Sequence, residues 1–273
     1  MGKKVFLSAG HGGSDPGAVA YNLKEKDINL QAMLACKAEL ERHGVTVVCS
    51  RLKDENDPVR DEVKEANASG ADLAFSIHTN AGGGDGFEAF YHTTNARGEK
   101  LASMAEKHVK NLGQNSRGVK SGNHLYFIKN TKITAVLVEN FFIDNDTDNN
   151  IGDVVSEQKA FGVAYAKAIL EYFGIAYKEA NKTNGTQSST PQKAEVDPAK
   201  SLNKKFAKTY TVTALSGLHM RAGAGTDMTS LKVLKKGEKV TCYGYYTKNG
   251  LTTWLYVRDS TGATGYCSKA YLK

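Results

Sequence analysis

The chain has 273 residues, which is enough for one or two domains, and at 40% hydrophobic and 24% charged residues it resembles an ordinary globular protein. No apolar run reaches the roughly 18 to 20 residues of a membrane span, and the apolar part of the start is too short for a signal peptide. Four cysteines are too few for a disulfide scaffold, and no Cys-x-x-Cys pair indicates structural zinc. The net charge of +7 suggests an anionic partner.

The composition changes after residue 176. Residues 177–208 are rich in Lys, Asn, Ser, Thr and Gln and can bury little apolar area, so they are predicted to be a flexible linker. This linker separates a first domain, residues 1–176, from a second domain, residues 209–273. The net charges of the three segments, counted from the sequence, are −3, +4 and +6 in chain order. The basic surplus therefore lies in the linker and the second domain.

Strand and helix patterns alternate through the first domain, where short apolar runs predict strands and a 3.6-residue period predicts helices. In chain order we predict a strand at 4–8, a helix around 30–40, a strand at 45–49, a helix at 58–66, strands at 72–77 and 87–91, a helix at 97–112, strands at 125–128 and 135–138, and a helix around 161–172. This alternation predicts an α/β fold in which helices flank a mainly parallel sheet. Chemistry in such folds sits at the carboxyl ends of the strands.

The second domain has no helical period. Short runs of β-branched and aromatic residues are separated by Gly, Asn and Asp. This pattern predicts a small all-β barrel or sandwich that is large enough to fold alone.

Three polar groups directly follow predicted strands of the first domain. His11 lies in a Gly-rich loop after the first strand, His78 ends the third, and Glu139 follows an apolar run. Two imidazoles and one carboxylate form a zinc-binding set that leaves a fourth position open for water. Glu25 is a candidate third ligand, but periodicity does not distinguish it from Asp15 or Asp27.

The first domain resembles the zinc-dependent N-acetylmuramoyl-L-alanine amidases of the amidase-3 type. The resemblance spans almost all of residues 4–173 and rests on an ordered series of motifs. These are His11 with its flanking glycines, Leu23 to Leu30, Ser50-Arg51, Arg60, Ala66-Asn67, Ser76 to Ala81, Gly86 to Tyr91, and Val136 to Asn145.

The resemblance implies that His11, Glu25 and His78 bind Zn²⁺ and that Glu139 is the catalytic general base. Two departures stand near Glu139. The family commonly has glycine where this chain has Asn140, and often has proline where it has Ala135. Neither departure removes a functional group.

The implied substrate is peptidoglycan, cleaved at the amide between N-acetylmuramic acid and L-alanine of the stem peptide. Asn80 and His124 are weaker candidates for substrate contact, and we expect Arg51 and Arg60 to be ion-paired scaffold groups.

The second domain resembles a bacterial SH3 domain, with motifs at 218–226, 234–240, 254–258 and 262–272. The resemblance implies an SH3-like barrel that binds cell-wall polymers or peptide cross-bridges. Aromatic side chains offer large contact areas, so the candidate wall-binding residues are Tyr243, Tyr245, Trp254 and Tyr256. The aromatic residues equally suit a barrel core, and Cys242 and Cys267 are expected to be free thiols.

Together these features predict a peptidoglycan hydrolase of the endolysin or autolysin kind, with no nucleic-acid partner. We expect synthesis in the bacterial cytoplasm without a signal peptide and action at the wall after release. One alternative is a wall cysteine peptidase with Cys36 or Cys49 as nucleophile. Another is a non-enzymatic protein that binds anionic polymers through its basic second domain.

Overall fold

The chain forms two compact units, residues 1–179 and 180–273. The computed structural model describes residues 2–21, 23–145, 148, 151–153, 155–179, 196–214, 217–225, 228–249 and 252–273. Residues 180–195 of the predicted linker lie outside the described residues. Residues 201–206, from the end of the same segment, form a short strand and a 3₁₀ turn within the second unit.

The first unit is built on a six-stranded sheet with one additional two-stranded hairpin. The strands are β1 (Lys4–Ala9), β2 (Val19–Ala20), β3 (Leu23–Lys24), β4 (Thr46–Cys49), β5 (Leu73–Asn80), β6 (Phe87–Tyr91), β7 (Ser116–Ser121) and β8 (Thr134–Phe142). The sheet order is β4-β1-β5-β8-β6-β7, and β2 pairs with β3. Strand β6 runs antiparallel to β8, whereas the other neighbouring strands of the sheet run parallel. The predicted α/β class with a mainly parallel sheet is confirmed.

Helices cover both faces of this sheet. They are α1 (Glu25–Arg42), α2 (Val59–Ala68), α3 (Ala96–Lys110), α4 (Tyr126–Asn130) and α5 (Val155–Phe173). Helices α1, α3 and α5 bury apolar side chains on one face, among them Met33, Leu101 and Phe161. Helices α2 and α4 cover the other face with a smaller cluster that includes Val63 and Phe127. No helix in the described ranges is long and apolar enough to cross a membrane.

The strand predicted at 125–128 is wrong, because helix α4 occupies this segment. A run of four apolar residues suits either a buried strand or one face of a short helix. The strand in this part of the chain is β7, a polar segment at the edge of the sheet. Its side chains are exposed or half-buried, so it shows no apolar pattern.

The second unit is an antiparallel sheet, which confirms the all-β prediction. Its strands are β9 (Ser201–Leu202), β10 (Lys208–Thr211), β11 (Leu218–Arg221), β12 (Ser230–Leu234), β13 (Lys239–Asn249), β14 (Thr252–Asp259) and β15 (Thr264–Ser268). The order is β10-β13-β14-β15-β11-β12, and β9 also pairs with β13. A core of its own includes Val240, Leu255 and Cys267. Cys242 and Cys267 are free and buried, as predicted.

One buried carboxylate organises the turn between β14 and β15. Asp259 is 8% exposed and accepts hydrogen bonds from the Lys232 ammonium, at 2.6 Å, and from the backbone amides of Thr261 and Ala263, at 2.9 Å each. Burial alone would raise its pKa, but these donors favour the charged form and lower the pKa to about 2.

Asp259→Asn is therefore expected to destabilise the second unit at pH 7 by about 1–3 kcal/mol, the usual effect of weakening charged hydrogen bonds. Because the folded pKa lies below the unfolded value of about 3.9, this stabilisation is complete above pH 4 and disappears as the pH falls through 2. Trp254, the single tryptophan, lies buried in this unit, so its fluorescence reports urea unfolding within the full chain. Asp72→Asn, in the first unit, is the control. An equal loss at pH 7 and pH 2 would contradict the ionic explanation.

Candidate metal centre

Strand register brings the predicted site residues to one edge of the sheet. In the parallel ladders Ala9 pairs with Ile77, and His78 pairs with Glu139. His11 follows β1 by two residues, so it reaches the same carboxyl edge as His78. Side chains alternate along a strand, which places His78 and Glu139 on the face covered by α2 and α4.

The loop that carries His11 has an unusual backbone. His11 has a φ of 65°, in the left-handed region that non-glycine residues rarely adopt. Gly10 precedes it, and a Cβ at Gly10 would lie 2.1 Å from the His78 ring. A Cβ at Gly17 would lie 2.6 Å from the Glu25 carboxylate. The glycines are therefore required because the two histidines and Glu25 approach so closely.

Glu25 lies between the two histidines and contacts both. It is the first residue of α1 and is 5% exposed. Its Oε2 lies 3.2 Å from His11 Nε2, and its Oε1 lies 3.1 Å from His78 Nδ1. Asp15 instead contacts the other His11 nitrogen, Nδ1, at 2.8 Å, and Asp27 is exposed. Among the three acids left open by the sequence, geometry thus places Glu25 between the imidazoles.

The charged groups of this cluster shift one another's pKa values. The hydrogen bond with Glu25 raises the pKa of His11 to about 9. Burial would lower the pKa of His78, but Glu25 and Glu139 outweigh burial and raise it. Burial would also raise the pKa of Glu25, yet its hydrogen bonds to both histidines hold that pKa well below the ordinary value. A cation between the three side chains would balance the negative charge of Glu25.

The three side chains fit the spacing that a metal ion requires. One potential ligand atom from each of His11, Glu25 and His78 lies within 4.8 Å of the others. Tetrahedral zinc, with bonds of about 2.0–2.1 Å, separates its nitrogen and oxygen ligands by roughly 3.4 Å. The contacts of 3.1 and 3.2 Å from the two Glu25 carboxylate oxygens to the histidines are close to that separation, although each histidine contacts a different oxygen. The Asp15 carboxylate accepts a hydrogen bond from His11 Nδ1. This bond fixes the tautomer of His11 in which Nε2 is available to bind a metal.

Glu139 stands beside this cluster with an unpaired oxygen. Its Oε2 atom is buried and has no hydrogen-bond partner within the part of the chain that the structure describes. Burial raises the pKa of Glu139 to about 8, although His78 opposes this rise. An unpaired buried carboxyl oxygen is costly, and such groups concentrate at sites that bind or transfer protons.

A chain of buried hydrogen bonds ends at the Glu25 carboxylate. The Tyr165 hydroxyl donates to Asn140 Oδ1 at 2.5 Å, and Asn140 Nδ2 donates to Thr79 Oγ1 at 3.0 Å. Thr79 donates to Asn29 Oδ1 at 2.8 Å, and Asn29 Nδ2 reaches Glu25 Oε1 at 3.3 Å. We call these five residues the Tyr165–Glu25 chain. Asn140, which departs from the family pattern, therefore has a definite structural partner on each side.

Arg51 holds the backbone next to the His11 loop in place. Its side chain is 2% exposed and donates to the carbonyl oxygens of Ala9 at 2.9 Å and Lys26 at 2.7 Å. These bonds tie the end of β1 to the first turn of α1. Arg60, the other predicted scaffold arginine, lies over the Tyr126 ring at 6.0 Å.

The weaker candidates for substrate and wall binding lie in different environments. Asn80 Nδ2 donates to Glu88 Oε2 at 3.0 Å, and Asn80 Oδ1 accepts from the next backbone amide, so its amide is already engaged. His124 is exposed and lies edge-on to the Phe90 ring. Of the four candidate wall-binding residues in the second unit, two are exposed, one is half-buried and one is buried; in that order they are Tyr243 and Tyr245, Tyr256, and Trp254.

The cysteines of the first unit do not have the properties of nucleophiles. Burial raises the pKa of the Cys36 thiol well above its usual value, and raises that of Cys49 to about 11. A nucleophilic cysteine needs the opposite shift, because the thiolate is the reactive form. This argues against the cysteine peptidase alternative.

Sequence comparison identifies the class of protein. Residues 5–171 match the family model described as N-acetylmuramoyl-L-alanine amidase, and residues 216–273 match the bacterial SH3 domain model. The chain belongs to the N-acetylmuramoyl-L-alanine amidase family.

Individual relatives support the same assignment. The chain is 39% identical over 153 residues to the N-acetylmuramoyl-L-alanine amidase CwlM of Bacillus licheniformis, covering 53% of this chain and 58% of that protein. It is 38% identical over 187 residues to the endolysin of Bacillus phage SPP1, covering 65% and 69% respectively. The catalytic domain of CwlV from Bacillus (Paenibacillus) polymyxa var. colistinus is 28% identical with a TM-score of 0.60, covering 64% of this chain and 99% of that domain. The chain thus spans less than two thirds of the length of CwlM.

Proposed function

We propose that this protein is a zinc-dependent peptidoglycan hydrolase that cleaves the amide between N-acetylmuramic acid and L-alanine of the stem peptide. The observation that carries the proposal is the buried Oε2 of Glu139, which has no partner among the residues that the structure describes, beside the His11–Glu25–His78 cluster. Membership of the amidase family supports the choice of bond.

His11, Glu25 and His78 would hold the zinc ion, with the imidazoles neutral and Glu25 ionised. Zinc supplies a Lewis acid that polarises the amide carbonyl and acidifies water. The residues behind the cluster keep its side chains in place. Asp15 orients His11, Arg51 fixes the loop backbone, and the Tyr165–Glu25 chain orients the Glu25 carboxylate.

Glu139 would act first as general base and then as general acid. Its carboxylate accepts a proton from the attacking water and later delivers that proton to the leaving nitrogen. The second transfer is essential, because an unprotonated amine anion is a very poor leaving group. Burial favours the protonated form of Glu139, whereas a cation beside it would favour the carboxylate, so the group can hold the proton between the two transfers.

The second unit would attach the enzyme to the cell wall. Tyr243 and Tyr245 both lie on β13, where they are 59% and 47% exposed. Their exposure supports a role in binding wall polymers or cross-bridges, whereas the buried position of Trp254 favours a structural role. Tethering would raise the local concentration of the catalytic unit at an insoluble substrate. We place synthesis in the bacterial cytoplasm and action at the wall after release.

Digestion of purified cell walls tests the reaction. We expect new amino-terminal alanine, measured by end-group analysis, to appear in step with the loss of turbidity, without an increase in reducing sugar. New reducing ends would indicate glycosidase activity, and amino termini other than alanine would indicate a peptidase. Either result would contradict the proposed amidase reaction.

A further inference from the structure

A second charged cluster lies beside Glu139, on the side away from the histidines. In the antiparallel ladder between β6 and β8, Glu88 stands directly opposite Glu139. Opposed residues point to the same face of a sheet, with Cβ atoms about 5 Å apart. His78, Glu139 and Glu88 therefore form one row across three neighbouring strands.

Glu88 binds two cations from β7. It is 6% exposed, and its Oε1 accepts hydrogen bonds from Arg117 Nε at 2.6 Å and Lys120 Nζ at 2.5 Å. Its Oε2 accepts from Asn80, so both carboxylate oxygens are engaged. The two cation side chains remain 44% and 37% exposed. One buried carboxylate thus balances two accessible cations, and the cluster keeps one net positive charge.

Arg117 is held in place and still has donors available. Its guanidinium lies 5.2 Å from the centre of the Phe142 ring, which restrains it from a second direction. Within the described residues, its hydrogen bond to Glu88 uses Nε alone, which leaves the terminal nitrogens available for a ligand. A guanidinium presents these donors in the planar arrangement that matches a carboxylate.

The separation from the metal-site residues fits the length of a short peptide. Adjacent strands lie about 4.8 Å apart, so β7, which carries Arg117, is roughly 10 Å from β8, which carries Glu139. Two extended residues span about 7 Å, and a side group adds a few more ångströms. An anionic group one residue beyond the alanine would therefore reach Arg117 when the scissile amide lies at Glu139.

We propose that Arg117 and Lys120, held by Glu88, bind a free carboxylate of the stem peptide on the residue that follows L-alanine. This carboxylate subsite rests on the proposed amidase function and would determine specificity. A substrate whose corresponding carboxylate is amidated would lose the ionic contacts and bind more weakly.

The test compares two soluble substrates that differ in one group. One is N-acetylmuramoyl-L-alanyl-γ-D-glutamyl-L-lysine amide, which has a free α-carboxylate on glutamate, and the other has the α-amide there. We expect the intact protein to prefer the carboxylate by about tenfold or more in kcat/KM, mainly through KM. Arg117→Gln should lose most of this preference, because kcat/KM falls on the carboxylate substrate. Lys120→Gln provides a second variant if the first does not fold, and Lys37→Gln is the charge-matched control, since Lys37 is a half-buried residue of α1 that pairs with Glu41.

The outcomes separate the two proposals. Failure of the intact, zinc-loaded protein to cleave either substrate or purified walls would overturn the amidase function itself. Equal cleavage of both substrates, or a preference unchanged in both Arg117→Gln and Lys120→Gln, would overturn the carboxylate subsite and leave the amidase function standing. Loss of the preference in these variants, with the control unaffected, would support the subsite.

Discussion

Replacing Glu139 by glutamine is expected to lower turnover of cell walls by about 10²- to 10⁴-fold, the contribution of a positioned general acid–base group. Glutamine has nearly the same shape but cannot accept and return a proton. The side chain lies beside His11, Glu25 and His78, and its Oε2 accepts no hydrogen bond from the described residues, so zinc content and melting temperature should change little. Initial rates of wall lysis, zinc analysis and thermal unfolding of the same preparation provide the measurements.

Glu41→Gln is the matched control, because Glu41 is an exposed residue of α1 that pairs with Lys37. The same chemical change at this position should leave lysis at the wild-type rate. If Glu139→Gln also lyses walls at that rate, the assigned role for Glu139 is wrong. A variant that loses its zinc together with its activity would instead indicate that Glu139 helps to retain the metal.

Removal of zinc is the second change with a large expected effect. Dialysis against a chelator should abolish activity, and stoichiometric Zn²⁺ should restore it. His78→Ala should lower both zinc content and turnover, by about 10³-fold for turnover if several kcal/mol of electrostatic stabilisation are lost. The metal-free protein should remain folded, because Glu25 keeps its contacts to His11 and His78 when these are protonated.

His92→Ala controls for the loss of an imidazole, since His92 contacts Thr94 away from the cluster. It should retain zinc and activity. Full activity of a chelator-treated sample whose zinc content is verified as negligible would overturn the metal-dependent mechanism.

Much of the first unit was predictable because its signals are local. Apolar runs that end in polar groups revealed β1, β5 and β8, and parallel strands necessarily bring such ends to one edge. The edge strand β7 and the short helix α4 were not predictable in this way. One has no apolar alternation, and the other is shorter than the period needed to recognise a helix.

In the site, too, residues were predictable from their neighbours in the sequence, whereas contacts between residues far apart in the chain were not. His11 and His78 could be identified from their positions after strands, whereas Glu25 needed the family resemblance because Asp15 and Asp27 have equally suitable local contexts. The support of Asn140 by Tyr165, 25 residues away, and by Thr79, 61 residues away, depends on tertiary packing. The pairing of Glu88 with Arg117 is similarly distant in sequence and was not anticipated.

The Tyr165–Glu25 chain also sets a minimum length for any catalytic fragment. Its outermost donor lies in α5, so a fragment that ends before Tyr165 removes the hydrogen-bond donor of the buried Asn140 Oδ1. The amide would then be free to reorient, and the disturbance would pass through Thr79 and Asn29 to the Glu25 carboxylate. Chimaeric proteins that exchange the second unit should therefore be joined after Phe173, since a crossover inside α5 would remove part of the support for the Glu25 carboxylate.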